Sequence, residues 1–314
     1  MACKRVNTTL PRSPLSGVAV LFAGELRLQG VSHLELLRAQ CRNAAVFVVT
    51  FPAFEKSAHL LVSDPARLHI ISPPQIEGNA SRREALLPNG RALPIRPDRP
   101  GSVVQWAVLD AALRTFDDAF KRLSIQVIVR SRTDLIIGAG PHGDPMFRYA
   151  SIEAERGALF AKSDLLFYAD RDTFCHVFGD FFGAITRVYS RPPTGVDAER
   201  LRWRELSVRE HSGCKVAESI AWAKAESPKH TSGMTKGYRF FSERAFSYHV
   251  IAAHGVPCMA LRLKCSRQVR TPRGESPRYY SHCDPLGDTP DSVGGELVCP
   301  LELNPARHQS MTRT

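Results

Sequence analysis

The sequence has no CxxC pair, no apolar run long enough to cross a bilayer and no surplus of acidic residues. Each lack excludes something. Structural zinc sites are built from closely spaced ligand pairs, whereas the eight cysteines here, at 3, 41, 175, 214, 258, 265, 283 and 299, are scattered. They read as reduced thiols. A spanning helix needs about 20 consecutive apolar residues, and none occur, so no transmembrane segment is expected. The opening MACKRVNTTLPRSPLSG has basic residues with no apolar stretch behind them, unlike a secretory signal. The sequons at Asn7 and Asn79 carry little weight in that setting, and the expected location is cytoplasmic. In place of an acidic surplus there is a net charge of +11, with some concentration at Arg262, Lys264, Arg267, Arg270, Arg273 and Arg278. That balance favours a polyanionic partner. Nucleic acid is the weakest candidate, because neither a recognition motif nor an interleaved aromatic platform accompanies the charge.

What is present is an ordinary globular composition, 43% hydrophobic and 23% charged over 314 residues. After a leader at 1–15, GVAVLFAGELR (17–27) predicts a buried strand that stops at a glycine, where a backbone can approach a ligand closely. Ser32 and Glu35 form a capping-box pattern that opens a helix to about 40. AAVFVVTF (44–51) and ARLHIIS (66–72) predict further buried strands. Strand, helix, strand and crossover are the signature of a parallel sheet. Prolines and glycines across 73–101 predict a long loop. Ser102 with Gln105 repeats the capping box. Trp106, Leu109, Leu113, Phe116 and Phe120 then recur at helical spacing, a core-facing stripe over 103–121.

The next stretch, SIQVIVRSRTDLII (124–137), is the one the chain is organised around. A β-branched run turns, without a turn residue, into alternating Arg130, Arg132 and Asp134. Ions are not buried unpaired, so this run is expected to emerge together at the carboxyl end of its strand, where open α/β sheets place ligands. Gly138, Gly140 and Gly143 fit GxGxxG by letter, but Pro141 and Pro145 deny the helix that fingerprint requires. In the second half, LLFYA (165–169) predicts a strand followed by a literal Asp170-Arg171-Asp172. Gly179-Asp180-Phe181 sets a carboxylate among aromatics, where a pKa would rise, and helices are expected over 184–190 and 215–225. FFSERAFSYHVIAAHG (240–255) is a helix led by Ser242 and Glu243 and stopped at Gly255. MALRLK (259–264) predicts a last strand, and 266–314 a poorly ordered basic tail. His176, His249 and His254 show no ligand spacing.

Several landmarks together resemble a glycosyltransferase family, the nucleotide-sugar-dependent, GT-A-like enzymes that include the lipopolysaccharide core-synthesis (WavE-type) proteins. They are AGELR (23–27), Gln105-Trp106, RSRTDLI (130–136), GDFFGAI (179–185) and SERAFSYHVIAAHGV (242–256), in that family's order across residues 17–265. The resemblance implies a Rossmann-like GT-A fold, α/β with a mostly parallel central sheet flanked by helices. It implies one domain over 16–265, with a nucleotide-binding half (16–150) and an acceptor half (151–265). The implied activity is hexosyltransferase-like, moving a sugar from a nucleotide-diphosphate donor to a glycan or glycolipid acceptor. Asp134 then stands on the donor side, where such enzymes place an Asp-x-Asp, although here the first carboxylate is replaced by Arg132.

Three roles for this trio stay open: Mg²⁺ or Mn²⁺ held by Asp134 and the phosphates, Arg130 and Arg132 in the metal's place, or a structural salt bridge. Asp172 is the second metal candidate. Asp180 and Glu243 are the acceptor-side candidates for the base. Gly24, Glu25 and Arg27 are expected to line the nucleotide pocket, with Arg262 and Lys264 reaching the diphosphate. A non-catalytic relative that binds the same ligands is the alternative.

Overall fold

Runs of β-branched and aromatic residues with no polar interruption can only be buried on both faces, and they build the centre of this molecule. The structure, a computed structural model, describes residues 17–28, 30–79, 84–93, 101–137, 147–162, 164–187, 213–214, 242–261, 266–270 and 278–282. Strands β1 (Val18–Ala23), β2 (Ala45–Thr50) and β3 (Leu68–Ile70) alternate with helices α1 (Gly30–Gln40) and α2 (Glu55–Leu61). Short strands β4 (Glu77–Asn79), β5 (Glu84–Leu86) and β6 (Ala92–Leu93) precede the long helix α3 (Gly101–Arg122). The chain continues through β7 (Val127–Ser131), β8 (Leu135–Ile137), β9 (Leu159–Lys162), β10 (Leu166–Asp170), α4 (Arg171–Phe178) and α5 (Phe181–Arg187). Helix α6 (Ser242–Tyr248) runs into a π-helical turn (His249–Ala253), followed by β11 (Cys258–Ala260), β12 (Ser266–Arg270) and β13 (Arg278–His282).

The architecture is α/β. Seven strands form one sheet in the order β11-β9-β10-β7-β1-β2-β3. All neighbours are parallel except β10, which runs against both β7 and β9. The side-chain period of two sorts each strand between two cores. Ala19, Leu21, Phe47, Ile128 and Phe167 face the layer of α3, α4, α5 and α6, where Trp106, Phe116, Phe120, Phe178, Phe181 and Phe246 are buried. Val20, Phe22, Val48, Val129 and Tyr168 face α1 and α2 through Leu37 and Ala58. Among the described residues no helix is long and apolar enough to cross a membrane.

Four expectations change. Part of the loop at 73–101 is a three-stranded sheet, β4-β5-β6; Leu87 and Leu93 are buried in the main core, and Gly90, at φ +76°, closes the turn between them. The second helix of the latter half starts at Phe181 rather than 184, because Phe181 and Ile185 are its inward face. The segment beyond 265 supplies β12 and β13, which pair with each other and with β8. Unpaired backbone groups on a strand edge are a template for another strand, and β12 takes that place beside β8.

Finally, Cys214 and Cys258 form a disulfide, so these two are not reduced thiols. Gly213 donates its N–H to the Cys258 carbonyl at 2.8 Å, which seats Cys214 beside β11. Cys41 is a free, buried thiol, and Cys175 is buried as well. The helix expected at 215–225 lies outside the described residues.

Candidate functional site at the carboxyl edge of the sheet

From β1 the chain winds outward to β2 and β3, then crosses back to β7 on the other side of β1. The strand order reverses between β1 and β7, and at such a switch point the loops leaving the two carboxyl ends diverge and open a crevice. The residues in those loops are Gly24, Glu25 and Arg27 after β1, and Arg132, Thr133 and Asp134 after β7.

The two loops are tied together. Gly24 takes φ +110°, a backbone state that favours glycine; its N–H donates to the Val49 carbonyl at 2.9 Å and its carbonyl accepts from Thr50 Oγ1 at 2.7 Å. The Arg27 N–H donates to Thr133 Oγ1 at 2.8 Å. His33 Nε2 donates to the Thr133 carbonyl at 2.7 Å, which fixes the hydrogen on that nitrogen. Burial lowers the His33 pKa, against the opposing pull of that bond and of Asp134.

Asp134 is the anchor. Its side chain is 2% exposed and grips Arg132 through both oxygens, Nε to Oδ1 at 2.8 Å and Nη2 to Oδ2 at 2.6 Å. Arg27 Nη1 stands 3.6 Å from the same Oδ2, while its Nη2 pairs with Glu25 at 2.8 Å. Burial works against the Arg132 charge, and the bonds and charge of Asp134, with Asp164 and Glu25 beyond, more than restore it, so its pKa is raised.

Arg130 does not join them at the rim. It is 3% exposed and points into the α3 layer with its guanidinium over the Phe167 ring at 5.7 Å. Its Nη1 donates to the Asp164 carbonyl and its Nη2 to Gln105 Oε1 at 3.0 Å. Burial pulls its pKa down to about 10. Gln105 in turn donates to Asp164 Oδ2 at 3.0 Å and Ser242 Oγ at 3.1 Å, and Trp106 Nε1 donates to Ser242 Oγ at 2.7 Å. Gln105 is therefore spent on this network rather than on a capping box. Through Ser242, the start of α6 is fastened to the same edge. Glu243 is the next residue, its side chain outside what is described.

The other expected site residues fall elsewhere. Asp180 is exposed and pairs with Arg187, so it is not enclosed by aromatics. Asp170 caps α4, accepting from the Thr173 N–H at 3.1 Å and the Gly157 N–H at 3.0 Å. It pairs in register with Val127, the first residue of β7. Because β10 is antiparallel, Asp170 and Asp172 lie on the opposite edge, separated from the end of β7 by at least four residues, about 13 Å. Asp134 and Asp172 therefore cannot share a metal. An open cleft of about 1030 Å³ lies at that far edge, lined by Gly17, Gln126, Glu153, Arg156, Asp170 and Asp172 among others; it is the amino edge of the parallel strands, remote from the switch point. Arg262 and Lys264 lie outside the described residues.

Sequence reading missed Asp164, Ser242 as a hydrogen-bond hub, and Thr133. The signal for Asp164 was a lone acid between the apolar runs at 158–161 and 165–169, the turn of a hairpin. Compared with family models, curated proteins and solved structures, the chain matches none.

Proposed function

We propose that this chain is a glycosyltransferase that seats a nucleotide-diphosphate sugar at the carboxyl edge between β1 and β7 and passes the sugar to a glycan or glycolipid acceptor. The observation that carries the reading is the reversal of strand order between β1 and β7, with Gly24, Glu25, Arg27 and Arg132 on the two loops that leave it and Asp134 beneath them. Its geometry suits a phosphate-bearing ligand, since planar guanidinium forks match phosphate oxygens. The single antiparallel strand within an otherwise parallel sheet is compatible with the GT-A-like layout that the resemblance implies. In transfer, the acceptor hydroxyl attacks the anomeric carbon as the bond to the diphosphate breaks. The negative charge building on the leaving group is what the arginines offset, and Glu243 is the acceptor-side candidate for the departing proton.

A second reading, a relative that binds donor without turnover, is favoured by the engagement of both Asp134 oxygens. One experiment addresses both. The protein is mixed with UDP-, GDP- and CMP-sugars, with and without Mn²⁺, and thermal shift and donor hydrolysis are followed. Shift with hydrolysis supports transfer, shift alone supports the binder, and silence across the panel rejects both.

A further inference from the structure

A divalent metal between carboxylate and diphosphate is one of the roles left open for Asp134, and the donor set at this edge does not suit one. Mg²⁺ and Mn²⁺ want unclaimed oxygen ligands. Both oxygens of Asp134 are held by Arg132, and Oδ2 has Arg27 beside it. Glu25 is held by Arg27 through Nε at 3.2 Å and Nη2 at 2.8 Å. Asp164 receives Gln105, and Asp172 is on the other edge. Where the resemblance puts the first carboxylate of an Asp-x-Asp, this chain has the guanidinium of Arg132. Among the described residues no group of three or more His, Cys, Asp or Glu is arranged to hold a metal ion.

Resting on the reading above, we infer that the site binds the diphosphate of its donor without a divalent cation, with Arg132 and Arg27 as the two charges that face it. The two guanidiniums share one carboxylate oxygen, Asp134 Oδ2, at 2.6 and 3.6 Å, so they stand side by side at the rim. Arg132 spends Nε and Nη2 on Asp134 and keeps its Nη1 hydrogens; its side chain is 24% exposed. Asp134 therefore aims the Arg132 fork without taking all of it.

Arg27 is 47% exposed, and its partner Glu25 is 53% exposed. Exposed ion pairs are worth little, so an incoming phosphate displaces Glu25 readily and leaves the buried Arg132–Asp134 pair intact. The groups around this edge, Arg27, Arg130 and Arg132 against Glu25, Asp134 and Asp164, are three charges of each sign.

The test is calorimetric titration with UDP and GDP, in EDTA and in Mn²⁺. The inference expects the nucleoside diphosphate that binds to do so within about twofold of the same affinity in both. Arg132→Gln and Arg27→Gln should each weaken binding tenfold or more, about the loss of one charge-assisted contact, and Glu25→Gln should tighten it. Arg27 is half-exposed, so its variant keeps the test sound if Arg132→Gln fails to fold, with circular dichroism as the control. Binding in Mn²⁺ but not in EDTA overturns metal independence and leaves the glycosyltransferase reading standing. Full affinity in both arginine variants also overturns the inference. No binding of either diphosphate under any condition overturns the inference and the reading together.

Discussion

Mild acid should destabilise this protein through one buried imidazole. His249 lies against the Phe181 ring with centroids 4.4 Å apart, and its Nε2 is 2.7 Å from the Val177 carbonyl and 3.1 Å from His254 Nε2. The carbonyl can only accept, so His249 carries its hydrogen on Nε2. That single hydrogen is shared, with His254 Nε2 accepting the longer branch, and His254 donates from Nδ1 to His176 Nε2 at 3.2 Å. This chain of bonds works with all three rings neutral. Burial first, and the neighbouring His254 and His176 with it, depress the His249 pKa to about 3 from an ordinary 6.5.

The unfolded chain thus takes up a proton near pH 6.5 that the folded chain refuses. Stability is fully present above 6.5, falls from there to about 3 and levels off below. Between pH 7.5 and 5 the loss from this group alone is about 2 kcal/mol. His254, lowered by burial and by His176, adds in the same direction. Urea unfolding at steps across that window measures it, because ordinary carboxyl groups titrate below it, near 4. His249→Gln should start less stable at pH 7.5 and lose much less on the way to pH 5. A wild-type stability that stays flat within extrapolation error, or a variant with the same slope, refutes the reasoning.

Other outcomes follow from single features. Asp110 is buried with Oδ1 unpartnered among the described residues and Oδ2 on Arg114 at 2.7 Å, and burial raises its pKa. Its ionised form therefore costs stability as pH rises through the folded value, and Asp110→Asn should stabilise at pH 7 by about 1 kcal/mol, a gain that vanishes in acid. Reducing Cys214–Cys258, which closes a span of 44 residues, should cost up to roughly 4 kcal/mol; thermal melts with and without reductant and a gain of two titratable thiols check it. Gly213→Ala should weaken the same corner, because a Cβ there runs into the Met259 and Ala161 carbonyl oxygens, and a melting temperature equal to wild type would refute it. Asp134→Asn should abolish donor hydrolysis and destabilise by about 1–3 kcal/mol, since it removes the charge that holds Arg132.

The stripe Trp106, Leu109, Leu113, Phe116 and Phe120 made α3 legible from spacing alone, and the unbroken apolar runs did the same for β1, β2, β7 and β10. The site was legible less evenly. Alternation in a strand sends Arg130 and Arg132 to one face, but β7 ends at Ser131 and the following turn swings Arg132 back onto Asp134, leaving Arg130 alone in the core. Asp180 was misplaced for a similar reason. Phe178 and Phe181, three apart, both turn inward, and Asp180, in the short turn between α4 and α5, is left outside. Asp164 carried only the local signal of an acid in a hairpin turn, and the disulfide carried none: it depends on β11 lying beside β9, a pairing set across a stretch of chain that no short window contains.

The pairing of β12 with β8 makes the two ends of this chain unequal to an experimenter. Gln268 is in register with Leu135, the residue after Asp134. The composition beyond 265 invites a shortened version ending there, yet such a cut would strip the outer strand from β8 and leave its backbone groups open one position from the anchor carboxylate. A protein trimmed at 265 that failed to take up donor would therefore report on the missing strand before it reported on the chemistry.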